Sequence, residues 1–189
     1  MIDPYHRFYL WAQKRQSWAK RAKDPSFRTL RYLSEIRDWM PGLWPWPEPV
    51  LCLGPRNELE LGYLRKAGMD FVVGLDLFSQ HPDILVGDMH ALKFPDNSFG
   101  MIWASHALEH AREPTKVLSE IRRILKPGGW LFAAYPTDFT ITWHDRHDYG
   151  YPVQLLTVYE GLAPGRVLYS HFTRAGESAE WSGLIEVQK

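Results

Sequence analysis

Polar or small residues directly follow four short apolar runs, where they could share one ligand site. Gly54 follows VLCL, Asp76 and Asp88 each end an apolar run, and Ser105-His106 follow MIWA. Asp76 lies 22 positions after Gly54 (76 minus 54), close to the spacing at which an acidic residue meets a ribose bound at a first strand-to-helix turn. Because a carboxylate accepts two hydrogen bonds at once, Asp76 suits the diol of a nucleoside.

A group of titratable side chains follows the fourth apolar run. His106, Glu109 and His110 are spaced i, i+3 and i+4, which on a helix places them on one face. His106 and His110 are therefore candidate catalytic bases, and the three together are candidate metal ligands. The alternatives are a packing and capping role for His110 and a pocket-wall role for His106. A charged cluster that could complete a metal site, or simply be solvated, comprises His144, Asp145, His147 and Asp148.

The elements that must position these residues begin at residue 49, where short apolar runs alternate with amphipathic stretches. This pattern predicts an α/β fold with a parallel sheet, whose ligand site lies at the carboxyl ends of the strands. Strands are predicted at 50–53, 71–76, 83–88, 101–105 and 130–135, and two more within RVLYSHF and WSGLIEVQ, joined by a turn of about eight residues. Helices are predicted near 57–67, 114–125 and 153–162.

The first 48 residues differ in character from the rest of the chain. Helical spacing predicts one helix that begins at Pro4 and ends before Asp24-Pro25, and a second that ends at Pro41-Gly42. The apolar stripe predicted for the second helix is Phe27, Leu30, Leu33, Ile36 and Met40. The proline-rich LWPWPEP then favours an extended linker. We divide the chain into a helical cap with its Pro/Trp linker (1–48) and a second domain (49–189).

Aromatic and basic residues are frequent in this N-terminal part. Trp44 and Trp46 could pack the linker against the sheet or shape a ligand pocket. A basic run with Trp18 inside it could seat a nucleic acid or an anionic membrane surface, and more commonly such a run is the solvated face of a helix. The run consists of Lys14, Arg15, Lys20, Arg21 and Lys23.

The composition of the chain argues against several classes of function. The chain has 189 residues, with 22 basic and 22 acidic side chains, so its surface as a whole is not built to bind phosphate backbones. The single cysteine, Cys52, excludes an internal disulfide and suits a reducing compartment. Charges interrupt the N-terminal segment and no apolar run reaches the length of a membrane span. We therefore expect a cytoplasmic protein without a membrane span.

The stretch 49–136 resembles the class I S-adenosylmethionine-dependent methyltransferases, especially small enzymes related to the quinone-biosynthesis methyltransferases. The resemblance is strongest in GDMHALKFPDNSFGMIWASHALEHAREPTKVLSEIRRILKPGGWLF, residues 87–132. It implies a Rossmann-like, doubly wound seven-stranded sheet, mostly parallel, with a C-terminal antiparallel hairpin and an N-terminal helical cap. It also implies S-adenosyl-L-methionine as cofactor and a cap that covers it.

The resemblance also implies roles for individual residues. Asp76 would hold the ribose hydroxyls, Asp88 the adenine amino group, Met89 would flank the adenine ring, and Ser105-His106 would line the methionine end. The remaining cofactor-binding candidates are Gly54, Pro55, Arg56, Glu60, Leu77 and His90. The acceptor would be a small molecule, with nucleic acid less favoured, and the aromatic N-terminal segment could join the chain to another copy or to a different subunit.

Two positions depart from the usual family pattern. The segment from Cys52 to Glu58 contains one glycine, Gly54, where the family usually has several, and Gly100 replaces the usual aspartate after FPDNSF. One alternative, suggested by the altered loop, is a protein that binds S-adenosylmethionine without turnover or serves as a partner subunit. A metal-assisted RNA methyltransferase is a further alternative, since His106, Glu109 and His110 resemble its metal site. A nicotinamide dinucleotide shares the spacing from Gly54 to the acid but needs more glycines to seat its pyrophosphate.

Overall fold

The structure is a computed structural model of the chain and describes residues 26–55, 57–137, 165–175 and 178–188. The helices predicted before Asp24 and at 153–162 lie outside the described residues, as do the basic run and the HDRHD cluster. Within the part of the chain that is described, no helix is both long enough and apolar enough to cross a lipid bilayer.

Seven strands form one sheet, in the spatial order β3-β2-β1-β4-β5-β7-β6. The first five run parallel, and β7 is antiparallel to both β5 and β6. This arrangement confirms the predicted fold class. The strands are β1 Val50–Leu53, β2 Val72–Asp76, β3 Ile84–Val86, β4 Phe99–Ser105, β5 Leu125–Thr137, β6 Gly165–Ala175 and β7 Ser178–Val187.

Helices cover both faces of the sheet because side chains alternate along each strand. The helices are α1 Ser26–Trp39, α2 Glu58–Lys66 and α3 Pro114–Ile124, with short 3-10 segments at Pro41–Leu43 and Leu108–His110. The buried side chains of α3 pack in one core cluster with Leu51 and Ile102. Those of α1 and α2 pack in a second cluster with Cys52, Trp103 and Phe132 on the opposite face.

The buried face of α1 differs from the predicted stripe. Leu33 and Ile36 are buried as predicted, whereas Leu30 is 50% exposed and Tyr32 is fully buried. The Tyr32 ring packs 5.2 Å from the ring of Phe132, centroid to centroid. The helix is thus rotated to bury an aromatic ring that also carries a polar hydroxyl, and an apolar stripe alone does not predict this orientation.

The C-terminal hairpin is longer than predicted. Ala175 pairs with Ser178, so only residues 176–177, outside the described part, separate the two strands. The prediction of an eight-residue turn was wrong because polar residues such as Thr173 were assigned to a loop, although Thr173 pairs with Glu180 across the ladder.

Gly100 is explained by the linker that crosses the start of β4. A Cβ at Gly100 would overlap the Cβ of Glu48 and come within 3.4 Å of the Trp46 ring. The Trp46 ring also lies 4.7 Å from that of Trp130, and Trp46 bridges to Met69 just before β2. The linker therefore packs at the amino ends of the strands, opposite the predicted site, which supports the packing role of Trp46.

Candidate functional site

The end of β1 turns sharply at Gly54. Its φ of +63° lies in the left-handed region, and a Cβ there would approach the Cβ of Ala107 to 2.9 Å. Its N–H donates to the carbonyl of Leu75 at 2.8 Å. A glycine is required here because the turn is pressed against the segment that follows β4. Pro55, which comes next, is buried, and Arg56 lies outside the described residues.

The two aspartates at the ends of β2 and β3 are fixed by nearby main chain. Asp76 Oδ1 accepts a hydrogen bond from the Phe78 N–H at 3.0 Å. Asp88 Oδ1 accepts from the His90 N–H at 2.8 Å and lies 2.6 Å from the ring nitrogen Nδ1 of the same histidine. Both aspartates are half-buried, as are Leu77 and Met89 beside them, and His90 is buried. The predicted cofactor carboxylates therefore lie at the carboxyl ends of neighbouring strands.

His106 follows β4 in an unusual backbone conformation. Its φ is +53°, which is uncommon for a residue with a side chain, and its N–H donates to the carbonyl of Ala134 at 2.7 Å. Ring nitrogen Nε2 lies 2.9 Å from Oε2 of Glu180, and Nδ1 lies 3.4 Å from Oε1 of Glu109. The ring is thus held between two carboxylates, next to the half-buried Ser105.

Three further side chains complete this cluster. Glu180 comes from the start of β7, where it pairs with Pro136 of β5. Arg31 of α1 forms an ion pair with Glu180, and the hydroxyl of Tyr32 lies 3.3 Å from Nε2 of His106. We call His106, Glu109, Glu180, Arg31 and Tyr32 the histidine cluster. It joins α1, the end of β4 and β7.

Electrostatics in the histidine cluster favour the charged forms of His106 and Glu180. Burial alone would lower the pKa of His106, but the hydrogen bonds to Glu109 and Glu180 outweigh burial and raise it. Burial opposes the ionised form of Glu180, but His106, Tyr32 and Arg31 together lower its pKa to about 2. The cluster therefore favours the protonated imidazole of His106 and the ionised carboxylate of Glu180.

The predicted helical face of His106, Glu109 and His110 does not form. A 3-10 segment covers only Leu108–His110, and the left-handed φ of His106 precedes it. His106 and Glu109 are in contact, whereas His110 donates its main-chain N–H to the carbonyl of Ala107 at 3.2 Å and is half-buried. Among the described residues, no group of three or more His, Cys, Asp or Glu side chains is arranged so that it could hold a metal ion.

Glu60 occupies a different place from the other predicted residues. It is 4% exposed, and its Oε1 accepts a hydrogen bond from the indole N–H of Trp103 at 3.1 Å. Trp103 lies in the core cluster shared with α1 and α2. The Glu60 carboxylate therefore lies within the packing between α2 and the sheet.

The sequence prediction missed Glu180, Arg31 and Tyr32. A signal for Glu180 exists, because the strand antiparallel to β5 must begin at the carboxyl edge of the sheet, where a charged residue would face the site. No local pattern in α1 distinguishes Arg31 from a solvated arginine.

Comparison with known proteins gives the family context. Residues 51–133 match the family described as Methyltransferase domain. A demethylmenaquinone methyltransferase of Renibacterium salmoninarum is 44% identical over 79 residues, which cover 36% of this chain and 32% of that protein. The chain thus spans about a third of the length of this relative.

Solved structures share the fold at low sequence identity. The 1,6-didemethyltoxoflavin-N1-methyltransferase of Burkholderia thailandensis, solved with S-adenosylhomocysteine, has a TM-score of 0.69 at 15% identity and covers 100% of this chain and 92% of its own. The [4+2]-cyclase SpnF has a TM-score of 0.67 at 16% identity and covers 84% and 80%. The architecture is therefore found in proteins with different reactions.

Proposed function

We propose that this chain, which matches the Methyltransferase domain family over residues 51–133 and shares the fold of an enzyme solved with S-adenosylhomocysteine, transfers a methyl group from S-adenosylmethionine to a small-molecule acceptor. The observation that carries this proposal is the pair Asp76 and Asp88, each fixed by main chain two residues later at the ends of neighbouring strands. Beside them, the Gly54 turn keeps a side chain out of the strand end. This combination suits a nucleoside that presents a diol and an amino group.

The chain's own residues divide into those that hold the cofactor and those that face the acceptor. We assign Asp76 to the ribose, Asp88 to the adenine amino group, Met89 to the ring face, and Ser105 with His106 to the methionine end. Gly54, Pro55, Arg56 and Leu77 would complete the cofactor site, while Glu60 supports α2 from the core. When bound, S-adenosylmethionine supplies an electrophilic methyl group on a sulfonium.

On the acceptor side, we assign His106 to remove or hold the proton of the atom to be methylated. Its ring is positioned by Glu180 and by Glu109, on either nitrogen. Only the neutral ring accepts a proton, so methylation of a protonated nucleophile should increase as pH rises through the raised pKa of His106. The base role of His110 stays a prediction; its main-chain N–H donates to the carbonyl of Ala107, and the residue is half-buried.

The acceptor class that we propose is a broad one and is based on sequence similarity. The Renibacterium salmoninarum relative acts, by its name, on demethylmenaquinone. We therefore propose a small aromatic or quinone-like acceptor as the first class to test. Holding the cofactor methyl group and the acceptor in position and orientation would then supply most of the rate acceleration, because the sulfonium already carries a good leaving group.

A second candidate function is cofactor binding without methyl transfer. It is favoured by the single glycine after β1 and by the His106 ring, whose two nitrogens both face carboxylates. The SpnF cyclase shows that a protein with this architecture can have another reaction.

Calorimetric titration of the full chain with S-adenosylhomocysteine, followed by a methyl-transfer assay on a panel of quinols and phenols, tests both candidates. We expect micromolar binding and release of S-adenosylhomocysteine with at least one acceptor. Binding without turnover on any acceptor would favour the second candidate. Absence of binding would overturn both.

A further inference from the structure

His90 links the segment after β3, which belongs to the proposed cofactor site, to the segment that leads into α3. Its ring is buried, with 7% of the residue exposed. Nδ1 lies 2.6 Å from Asp88 Oδ1, just after β3. Nε2 accepts hydrogen bonds from the main-chain N–H groups of Arg112 at 3.0 Å and Glu113 at 3.2 Å, which lie between the end of β4 and α3. The imidazole therefore spans the gap between these segments.

The hydrogen bonds determine which ring nitrogen carries the proton. Main-chain N–H groups only donate, so Nε2 must present its lone pair to Arg112 and Glu113. The proton of the neutral ring then resides on Nδ1 and is donated to Asp88 Oδ1. Together with the His90 main-chain N–H, this gives Asp88 Oδ1 two donors from one residue. Two donors fix both the position and the rotation of the carboxylate.

We propose that His90 is a positioning residue that makes the site selective for 6-aminopurine over 6-oxopurine nucleosides, acting through Asp88. This inference rests on the proposed function, in which Asp88 meets the adenine edge. The sequence prediction placed His90 in direct contact with the cofactor, whereas its polar atoms are directed to Asp88 and to the main chain of Arg112 and Glu113.

The selectivity depends on Asp88 being fixed. A carboxylate can only accept hydrogen bonds, so it accepts from the 6-amino group of adenine and is repelled by the 6-oxo group of hypoxanthine. Hypoxanthine also carries a proton on N1, and a carboxylate that could shift toward N1 would accept that hydrogen bond instead. A carboxylate held by two donors from His90 cannot make this shift. Discrimination therefore requires the residue that holds Asp88 as well as Asp88 itself.

Two substitutions of His90 test the roles of its two ring nitrogens separately. In His90→Gln, the side-chain oxygen can replace Nε2 as acceptor for Arg112 and Glu113, but the donor to Asp88 is lost. In His90→Asn, the amide nitrogen can replace Nδ1 as donor to Asp88, but the side chain is too short to reach Arg112. Asp88→Asn serves as the reference, because its amide can turn to donate to a 6-oxo group.

The experiment is calorimetric titration of the full chain and its variants with S-adenosylhomocysteine and with S-inosylhomocysteine, together with thermal unfolding. We expect the unsubstituted chain to prefer S-adenosylhomocysteine by about 30-fold, the effect of one unfavourable polar contact in place of a charge-assisted hydrogen bond. His90→Gln should reduce the preference to about 3-fold or less with a small change in Tm. His90→Asn should retain the preference while its Tm falls.

The outcomes separate this inference from the proposed function. If the chain binds S-adenosylhomocysteine selectively and His90→Gln retains the full preference, the positioning role is wrong and the proposed function stands. The same conclusion follows if both His90 variants lose affinity for the two nucleosides equally, because that indicates a purely structural role. If the unsubstituted chain binds neither nucleoside, the proposed function is overturned and this inference with it.

Discussion

Asp76 and Asp88 accept hydrogen bonds from main-chain N–H groups two residues later. The His106 ring is held by Glu109, three positions later, and also by side chains far away in sequence. Tyr32 and Glu180 each lie 74 positions from His106, on opposite sides. The main-chain hydrogen bonds of the carboxylate side therefore form within single strand ends. The histidine side exists only when α1, the end of β4 and β7 are packed together.

Because of this difference, the two sides of the site should respond differently to substitution. A hydrogen bond to the second following residue closes a very short loop and depends little on the rest of the fold. The histidine cluster depends on three elements whose charges are partly or wholly removed from water, so loss of one partner leaves the others poorly compensated. Substitutions in α1 or β7 should therefore affect His106 and weaken cofactor binding much less than the loss of Asp76 or Asp88 does.

The largest expected effect belongs to the carboxylate side. Asp76→Ala removes two charge-assisted hydrogen bonds to the proposed ribose diol, each contributing about 1.5 to 3 kcal/mol. We expect affinity for S-adenosylhomocysteine to fall by about 100-fold or more, as measured by calorimetry. Asp70→Ala is the matched control, because Asp70 is an exposed carboxylate just before the same strand. Equal losses in the two variants would show that Asp76 does not bind the ribose.

On the histidine side, Glu180→Gln should destabilise the fold and weaken cofactor binding much less than Asp76→Ala does. It breaks the ion pair with Arg31 and removes one of the two carboxylates that face His106. We expect the free energy of unfolding to fall by about 2 kcal/mol, measured by urea unfolding at neutral pH.

The control for this substitution is Glu186→Gln. Glu186 lies on the same strand and pairs with the largely exposed Arg166, so its loss should cost about 0.5 kcal/mol. If Glu180→Gln weakens S-adenosylhomocysteine binding as strongly as Asp76→Ala does, the two sides of the site are not independent.

The pH dependence of stability provides a third test of the histidine cluster. The pKa of Glu180 is lowered from 4.5 to about 2, so its contribution is present above about 4.5 and is lost as pH falls toward 2. The pKa of His106 is raised above 6.5, so its contribution is present below 6.5 and is lost as pH rises through the raised value.

The stability difference between the unsubstituted chain and Glu180→Gln should therefore be greatest between about pH 4.5 and 6.5. We call the loss of the Glu180 contribution between about pH 4.5 and pH 2 the acid limb. Since Glu180 is partly accessible to solvent, we expect the acid limb to amount to about 1 to 2 kcal/mol. Urea unfolding at pH 5 and at pH 2.5 measures this stability difference. If the difference is the same at both pH values, the ion pair between Glu180 and its partners is contradicted.

The same contrast explains what the sequence could predict. The strand ends that carry Gly54, Asp76, Asp88 and His106 follow from apolar runs and from one long family resemblance, because both are contiguous in sequence. The parallel sheet follows from the alternation of strands and helices. Gly100 appeared only as an anomaly until the crossing linker supplied its reason.

What could not be predicted depends on packing between distant elements. The rotation of α1 that buries Tyr32 results from the ring of Phe132, about 100 positions away. Glu60 fits a cofactor-loop pattern, yet its partner is the indole of Trp103, 43 positions along the chain. His106 was predicted as a base from residue type and position, whereas its charge state depends on Glu180.

The smallest expected effect, from Tyr32→Phe, gives the finest test of the histidine cluster. The substitution keeps the ring packed on Phe132 and removes only the hydroxyl, which lies 3.3 Å from Nε2 of His106 and helps to lower the pKa of Glu180. We expect the free energy of unfolding to fall by about 0.5 to 1 kcal/mol. The acid limb should still begin near pH 4.5 but end at a higher pH and be smaller, because Glu180 has lost one donor and its pKa in the folded protein rises.

Tyr169→Phe is the matched control for this substitution. The Tyr169 hydroxyl donates to Glu35 at 2.7 Å, also joining α1 to the hairpin but outside the histidine cluster. It should cost a similar free energy of unfolding and leave the acid limb of Glu180 in place. If both variants move the acid limb equally, the titration reflects the docking of α1 as a whole and not the contact between Tyr32 and Glu180.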